Sequence, residues 1–434
     1  MQRESLLKSA QDMKERVFKW LVLVVGFALF VAVGIRAVHD ATTADPASHR
    51  SDFSIYHSTG RAVLDGTNIY EAHSIRGMLG STLPIFPIAM VPLALLPPLW
   101  ATVLWYLFTV ATMAHAVYLA VLLTRRFLPQ WRWGGFWLYA TMAVLVLAQA
   151  MTGASRGNPS TLVTWLIMVS LWLYCERRTW LAGFCLAASV VVKLFPLLLL
   201  AYFVWKRRWL MSVATTVWLL VLIWGIPSLV FGVRGNQALL EQWLRMITLP
   251  RMSLEQTQAM PQTSGRFRPS QTTNQALPAM VVKWVTGSTA ETSHSPRAAA
   301  ARWLAVLSCV VVTGLSVWAC WRSKGAPDHA GTLRDFCIAM CLMLFLSPVS
   351  WFHHFTLLML PLAVVLALAG DASMPRRQWI FQANLALYEV VSVLVQAVHG
   401  LLVFGVFLCG TIYLWASFIW AWPLPENDQE CCGS

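Results

Sequence analysis

The stretch HRSDFSIYHSTGRAVLDGTNIYE, residues 49–71, sets Asp52, two histidines and two tyrosines between apolar runs. A carboxylate at a membrane edge, against apolar walls, has its charged form disfavoured and its basicity raised. That suits a general base for a sugar or lipid hydroxyl. Tyr56 follows at i+4, so on a helix it faces the same way as Asp52. In SPVSWFHHFTLLMLP, His353 and His354 stand beside Trp351 at the start of an apolar run. Such a pair can bind a phosphate or shuttle protons. Adjacent helical positions diverge by about 100°, which makes them poor metal partners. Lys193 lies in AASVVVKLFPLLLL, where a lysine is costly unless it snorkels or finds a partner such as a phosphate. ASRGNPS, residues 154–160, offers Arg156 and Asn158 on a turn where Gly157 permits close backbone approach.

These residues need elements to hold them. The chain has 434 residues, 58% hydrophobic and 12% charged. Soluble domains carry roughly a quarter charged residues. The low charge and the repeated apolar runs predict an all-α polytopic membrane protein forming one integral membrane domain over residues 1–434. About twelve spans are expected, near 20–38, 99–123, 134–151, 160–175, 180–195, 196–206, 210–231, 301–320, 333–349, 351–370, 379–398 and 400–422. Lys193 and Pro196 interrupt the fifth and sixth, which read as two short helices meeting near Pro196.

Charge sets the orientation. Basic residues mark cytoplasmic flanks, and Arg125-Arg126, Arg177-Arg178, Lys206-Arg207-Arg208, Arg322/Lys324 and Arg376-Arg377 all fall on one side. Both termini are then inside, with 423–434 a cytoplasmic tail. Two long segments, 39–98 and 232–300, lie outside. Residues 84–98 are apolar yet hold five prolines, which predicts an interfacial or re-entrant element. The second segment carries Arg234, Arg245, Arg251, Arg266, Arg268, Lys283 and Arg297: a solvated loop, or an anion site at the outer surface.

The net charge of +13 fits membrane surfaces better than nucleic acid. The nine cysteines avoid both large polar loops and have no metal-binding spacing. There is no GxxxxGK[ST], GxGxxG or HExxH motif, and the cytoplasmic loops are too short for a nucleotide-sugar domain. No cofactor or metal is expected. A transferase of this kind would draw its activated donor from the membrane.

The order of motifs resembles glycosyltransferase family 87, polyprenyl-phosphate-mannose-dependent mannosyltransferase-like proteins of the GT-C fold. DFSIYHSTGRAVLDGTNIY supplies Asp52, Phe53, Tyr56, Gly66 and Tyr70, and LPIFPIAMVPLALLP supplies Phe86, Pro87, Pro92 and Pro97. RGNPS, LAGFCLAASVVVKLFP, TNQAL and LSPVSWFHHF follow in the family's order. The resemblance covers about residues 50–365. It departs where F-P-I stands for Y-P-P and where Arg156 precedes the turn.

The resemblance implies a GT-C-type bundle with outer juxtamembrane helices, in a bacterial cytoplasmic membrane, its site facing the periplasm or exterior. It implies an inverting transfer of a sugar, expected to be mannose, from a polyprenyl-phosphate donor to a glycolipid or glycan acceptor. Asp52 would be the base. Lys193, His353 and His354, then Arg266 or Arg268, would hold the donor phosphate. Tyr56, Tyr70, Arg156, Asn158, Asn274 and Gln275 would contact sugar or acceptor. The competing expectation is a transporter or flippase for a lipid-linked or anionic solute, against which the polar chemistry gathers on one side only.

Overall fold

The computed structural model describes residues 2–46, 48–75, 77–128, 135–245, 273–287, 296–321, 323, 330–370, 375–398 and 405–422. Among them the chain is helical, with one isolated bridge between His73 and Leu79. In chain order the helices are α1 (Gln2–Thr42), α2 (Phe53–Leu64), α3 (Ile85–Ala94), α4 (Pro98–Phe127), α5 (Gly135–Arg156), α6 (Ser160–Cys175), α7 (Thr179–Val192), α8 (Leu197–Trp205), α9 (Trp209–Leu220), α10 (Ile226–Phe231) and α11 (Val233–Trp243). After the second long polar segment come α12 (Leu277–Thr286), α13 (Pro296–Trp321), α14 (Ala330–Leu346), α15 (Met359–Ala369), α16 (Pro375–Ala397) and α17 (Val406–Trp420).

Seven helical stretches among the described residues are long and apolar enough to cross a membrane. The protein is therefore a multi-pass membrane protein. Several expected spans are shorter helices: α6 has 16 residues, α7 has 14 and α8 has 9. At 1.5 Å per residue, α8 is only about 13 Å long. It returns through part of the bundle rather than crossing a 30 Å hydrocarbon layer alone.

Burial follows hydrophobicity around each helix. The stretch Phe352–Ala369 is apolar on every face and almost wholly buried, so it is the central post of the bundle. α1 is equally apolar but packs one side on α4 and α5. Val24, Phe27 and Ile35 face outward, as befits a helix bathed in lipid.

The polar segments fall at two opposite ends. At one end α2 and α3 pack so closely that a Cβ on Gly60 would meet Met90 and Ala94 at 3.1 Å. Asn68 donates to Gln242 (3.1 Å) and the Trp243 indole donates to the Ser81 carbonyl (3.2 Å). The two long polar segments are thus joined. Proline-rich α3, 10 residues long, lies against α2 and α4 as a short accessory helix.

At the other end, Arg126 bonds Glu176 (2.6 Å) and two matching turns reverse the chain, each with an arginine in left-handed backbone (Arg177, φ 60°; Arg207, φ 54°). Beside the second turn lies a buried polar group that the sequence analysis did not single out. Lys206 bonds the Cys320 carbonyl and the Ser323 carbonyl and hydroxyl, and its ammonium stands 3.4 Å from Asp335. Asp335 also accepts from Ser323 and from the Tyr202 hydroxyl (3.1 Å), and lies 3.5 Å from Arg334. Removing one partner of a buried ion pair strands the other. Lys206→Met should cost about 3 kcal/mol, read as a lowered Tm in detergent.

Candidate active site

The site is assembled from chain turns where helices end. Asp52 stands at the first residue before α2 without capping that helix by its side chain. Its backbone N–H donates to the Arg156 carbonyl at 2.7 Å, which ties the segment after α1 to the end of α5. There Gly157 takes φ +67°, and a Cβ on it would sit 2.6 Å from the Phe53 Cβ. The Trp105 indole closes the turn by donating to the Gly157 carbonyl (2.8 Å). Gly157→Ala should therefore carry a backbone penalty of about 1–3 kcal/mol plus the push against Phe53. The expected result is a lowered Tm, with a larger proportional loss of activity because Phe53 adjoins Asp52.

Asn158 follows and joins opposite charges. Its Nδ2 donates to Asp52 Oδ2 at 2.7 Å. Its Oδ1 accepts from the Ser160 N–H (3.0 Å), the Ser160 hydroxyl (2.7 Å) and Lys193 Nζ (3.2 Å). Three donors converging on one amide atom identify it as the oxygen, which leaves the nitrogen to face the carboxylate.

α7 ends at Lys193, whose backbone is extended (φ −146°, ψ 132°). Pro196, at the start of α8, has no N–H with which to continue α7. Lys193 Nζ reaches Ser160 Oγ at 2.7 Å and His354 Nε2 at 2.8 Å. With Asn158 these account for all three ammonium donors. A His354 that accepts at Nε2 carries its proton on Nδ1 and gives it to the Val349 carbonyl (3.2 Å) instead of accepting there from the Trp351 N–H, which lies 3.3 Å away.

His353 is buried, with its ring edge-on to His354 at 4.7 Å. Lys193 and Arg156 both act on it electrostatically. Carboxylate, amide, ammonium and imidazole therefore stand in one hydrogen-bonded row. Asp52, Asn158, Lys193, His353 and His354 line a cavity of about 620 Å³ whose other walls are mainly apolar.

The other expected residues take different places. Tyr56 lines the cavity, its ring set edge-on to Phe86 at 5.1 Å. Tyr70 is not in the lining. Its hydroxyl donates to the Thr82 carbonyl (3.0 Å) behind Ser81–Leu83, which do line it, and burial raises its phenol pKa.

Asn274 and Gln275 also stand behind the wall. Asn274 donates to the Pro348 carbonyl (3.0 Å) and accepts from the Ser350 N–H (2.8 Å), while the Gln275 N–H donates to the Ser350 carbonyl (2.7 Å). Both residues hold the turn before His353. Arg156 meets Asp52 through its backbone. Arg266 and Arg268 lie outside the described residues. Among the described residues, no three His, Cys, Asp or Glu side chains gather in metal-binding geometry.

Sequence reasoning missed Ser160, which joins Asn158 to Lys193, and Trp243, which lines the cavity from α11. Ser160 read as an ordinary residue at a helix start.

Fold and site together define a multi-pass membrane protein with a polar cluster at the head of an apolar cavity. The chain belongs to glycosyltransferase family 87, whose family model matches residues 84–348, and it is a membrane glycosyltransferase. It is 27% identical, over 345 residues, to the polyprenol-phosphate-mannose-dependent alpha-(1-2)-phosphatidylinositol mannoside mannosyltransferase of Mycolicibacterium smegmatis, covering 74% of this chain and 70% of the relative. No solved structure matched the chain. The family match contains Asn158 and Lys193. Asp52 precedes it and His353 and His354 follow it, so geometry joins the three parts.

Proposed function

We propose that the protein moves a sugar, mannose, from a polyprenyl-phosphate donor to a hydroxyl of a glycolipid or glycan acceptor, with inversion at the anomeric carbon. The observation that carries this reading is the row Asp52–Asn158–Lys193–His354 at the head of a cavity with apolar walls. A lipid-linked sugar phosphate needs both parts: charge at its head and hydrocarbon at its tail. The donor named for the mycobacterial relative has this chemistry.

In the reaction, the acceptor oxygen attacks the anomeric carbon and the carbon–oxygen bond to phosphate breaks. The bond's electron pair leaves on the phosphate. Asp52 takes the acceptor's proton as the new bond forms. Asn158 holds the carboxylate by one oxygen and so fixes its direction. Lys193 meets the charge that grows on the departing phosphate, and His354, neutral and oriented by Val349, keeps the ammonium in place. His353 and Tyr56, which line the cavity, shape the space around the sugar.

Orientation rests on the basic turns. Arg126, Arg177 and Arg207 gather at the end opposite Asp52, and basic flanks stay cytoplasmic. The site then faces the periplasm or exterior, with both termini inside.

The test compares donors in membranes containing the protein. Polyprenyl-phosphate mannose should label a lipid or glycan acceptor, whereas a nucleotide-linked mannose, supplied after lipid-donor synthesis is blocked, should not. Labelling from the nucleotide sugar alone would overturn the reading.

A further inference from the structure

We infer that the cavity holds only the first one or two isoprenoid units of the donor's tail and turns the rest sideways into the lipid, so the protein is indifferent to tail length. This rests on the polyprenyl-phosphate reading above.

The apolar limb of the cavity is short. It runs past Leu194 and along α8, where Leu197, Leu198 and Ala201 form one wall, and along α14, where Met343 and Leu346 form the other. From Leu197 to Ala201 the helix rises about 6 Å, comparable with one or two five-carbon units. The limb is open on its side: Leu194 and Leu197 are 42% and 45% exposed, and Ala201 is exposed too.

The lining on α8 ends at Ala201. Tyr202 and Phe203 are buried, and their rings meet the buried Phe336 of α14 at 5.8 and 6.2 Å. Phe203 also packs on Tyr174 at 4.9 Å. These rings make a floor.

The floor is fastened. The Tyr202 hydroxyl donates to Asp335, the neighbour of Phe336 in sequence, and Lys206 stands against the same carboxylate. The two walls are thus joined, at the ends away from Lys193 and His354, by a buried ionic group. The sugar-transfer chemistry makes no use of that group. Its role is to fix where the limb ends.

Binding of farnesyl phosphate and decaprenyl phosphate to the purified protein, in one detergent and compared by mole fraction, tests the inference without requiring transfer. In detergent both tails start out of water, so length carries no hydrophobic gain. Extra units packed by the protein would tighten the longer lipid roughly tenfold or more through van der Waals contact, whereas units left in the micelle leave the two within about threefold. Ala201→Trp, at an exposed position that folding tolerates, should fill the limb and weaken both lipids about tenfold or more. A tenfold preference for the longer lipid, or an Ala201→Trp variant that binds both normally, overturns the inference. If neither lipid binds, the donor reading falls and takes this inference with it. Equal binding without sugar transfer sustains the short limb and sinks only the proposed reaction.

Discussion

Asp52→Asn should lower sugar transfer by about a thousandfold, within the range that general bases contribute, while the protein inserts and folds normally. The substitution keeps the side chain's size. The new amide can still accept from Asn158 Nδ2 at the position Asp52 Oδ2 now holds. What it loses is the ability to take a proton from the attacking hydroxyl. The loss should therefore appear in kcat, with donor binding within about threefold of wild type, since a missing base acts in the transition state alone. A variant whose kcat is unchanged would make Asp52 a strut, joining two outer turns through its N–H and carboxylate. An unchanged kcat with a raised donor KM would assign it to donor binding.

Lys193→Met should cost about a hundredfold to a thousandfold in kcat, the scale seen when one stabilising donor is removed from a developing anion. Methionine preserves the length and apolar stem of lysine, so the α7–α8 break should persist. The ammonium donates at once to Asn158, Ser160 and His354. A phosphate entering the site must replace one of these partners, which lets Lys193 follow the charge as it builds. Lys193→Arg should not restore activity. A planar guanidinium cannot satisfy three partners arranged around a compact ammonium. Measured kcat for the two variants decides the matter: full activity in the methionine variant would show that the lysine only joins helices.

Much of this architecture was legible in the sequence because hydrophobic runs and basic flanks are local signals. The break at Lys193–Pro196, the accessory helix at 85–94 and the central apolar run after His354 all follow from such signals. The active row does not. Asn158 and Asp52 are 106 positions apart, and Lys193 and His354 are 161 apart, so no periodicity relates them. Only the order of motifs and the fold bring them together.

Tyr70, Asn274 and Gln275 show a second limit. Motif order places a residue near a site without saying whether its side chain faces the cavity or the wall behind it. Asn274 spends both ends of its amide on backbone groups of the Pro348–Ser350 turn. Asp335 shows the converse. Its neighbours FCIAMCLMLFL read simply as a span, yet an aspartate beside such a run is costly and required a partner. Lys206 is that partner, 129 positions earlier by the difference of 335 and 206.

A single displacement of lipid phosphate by an acceptor hydroxyl that Asp52 deprotonates inverts the sugar, so the product's anomeric configuration is the measurement that decides. Purified protein in vesicles would be given polyprenyl-phosphate mannose labelled at the anomeric carbon, together with acceptor lipid, and the product read by NMR. Transfer with inverted configuration is expected in wild type, and product from Asp52→Asn reduced by about a thousandfold. Retained configuration, or equal product from the variant, would contradict it.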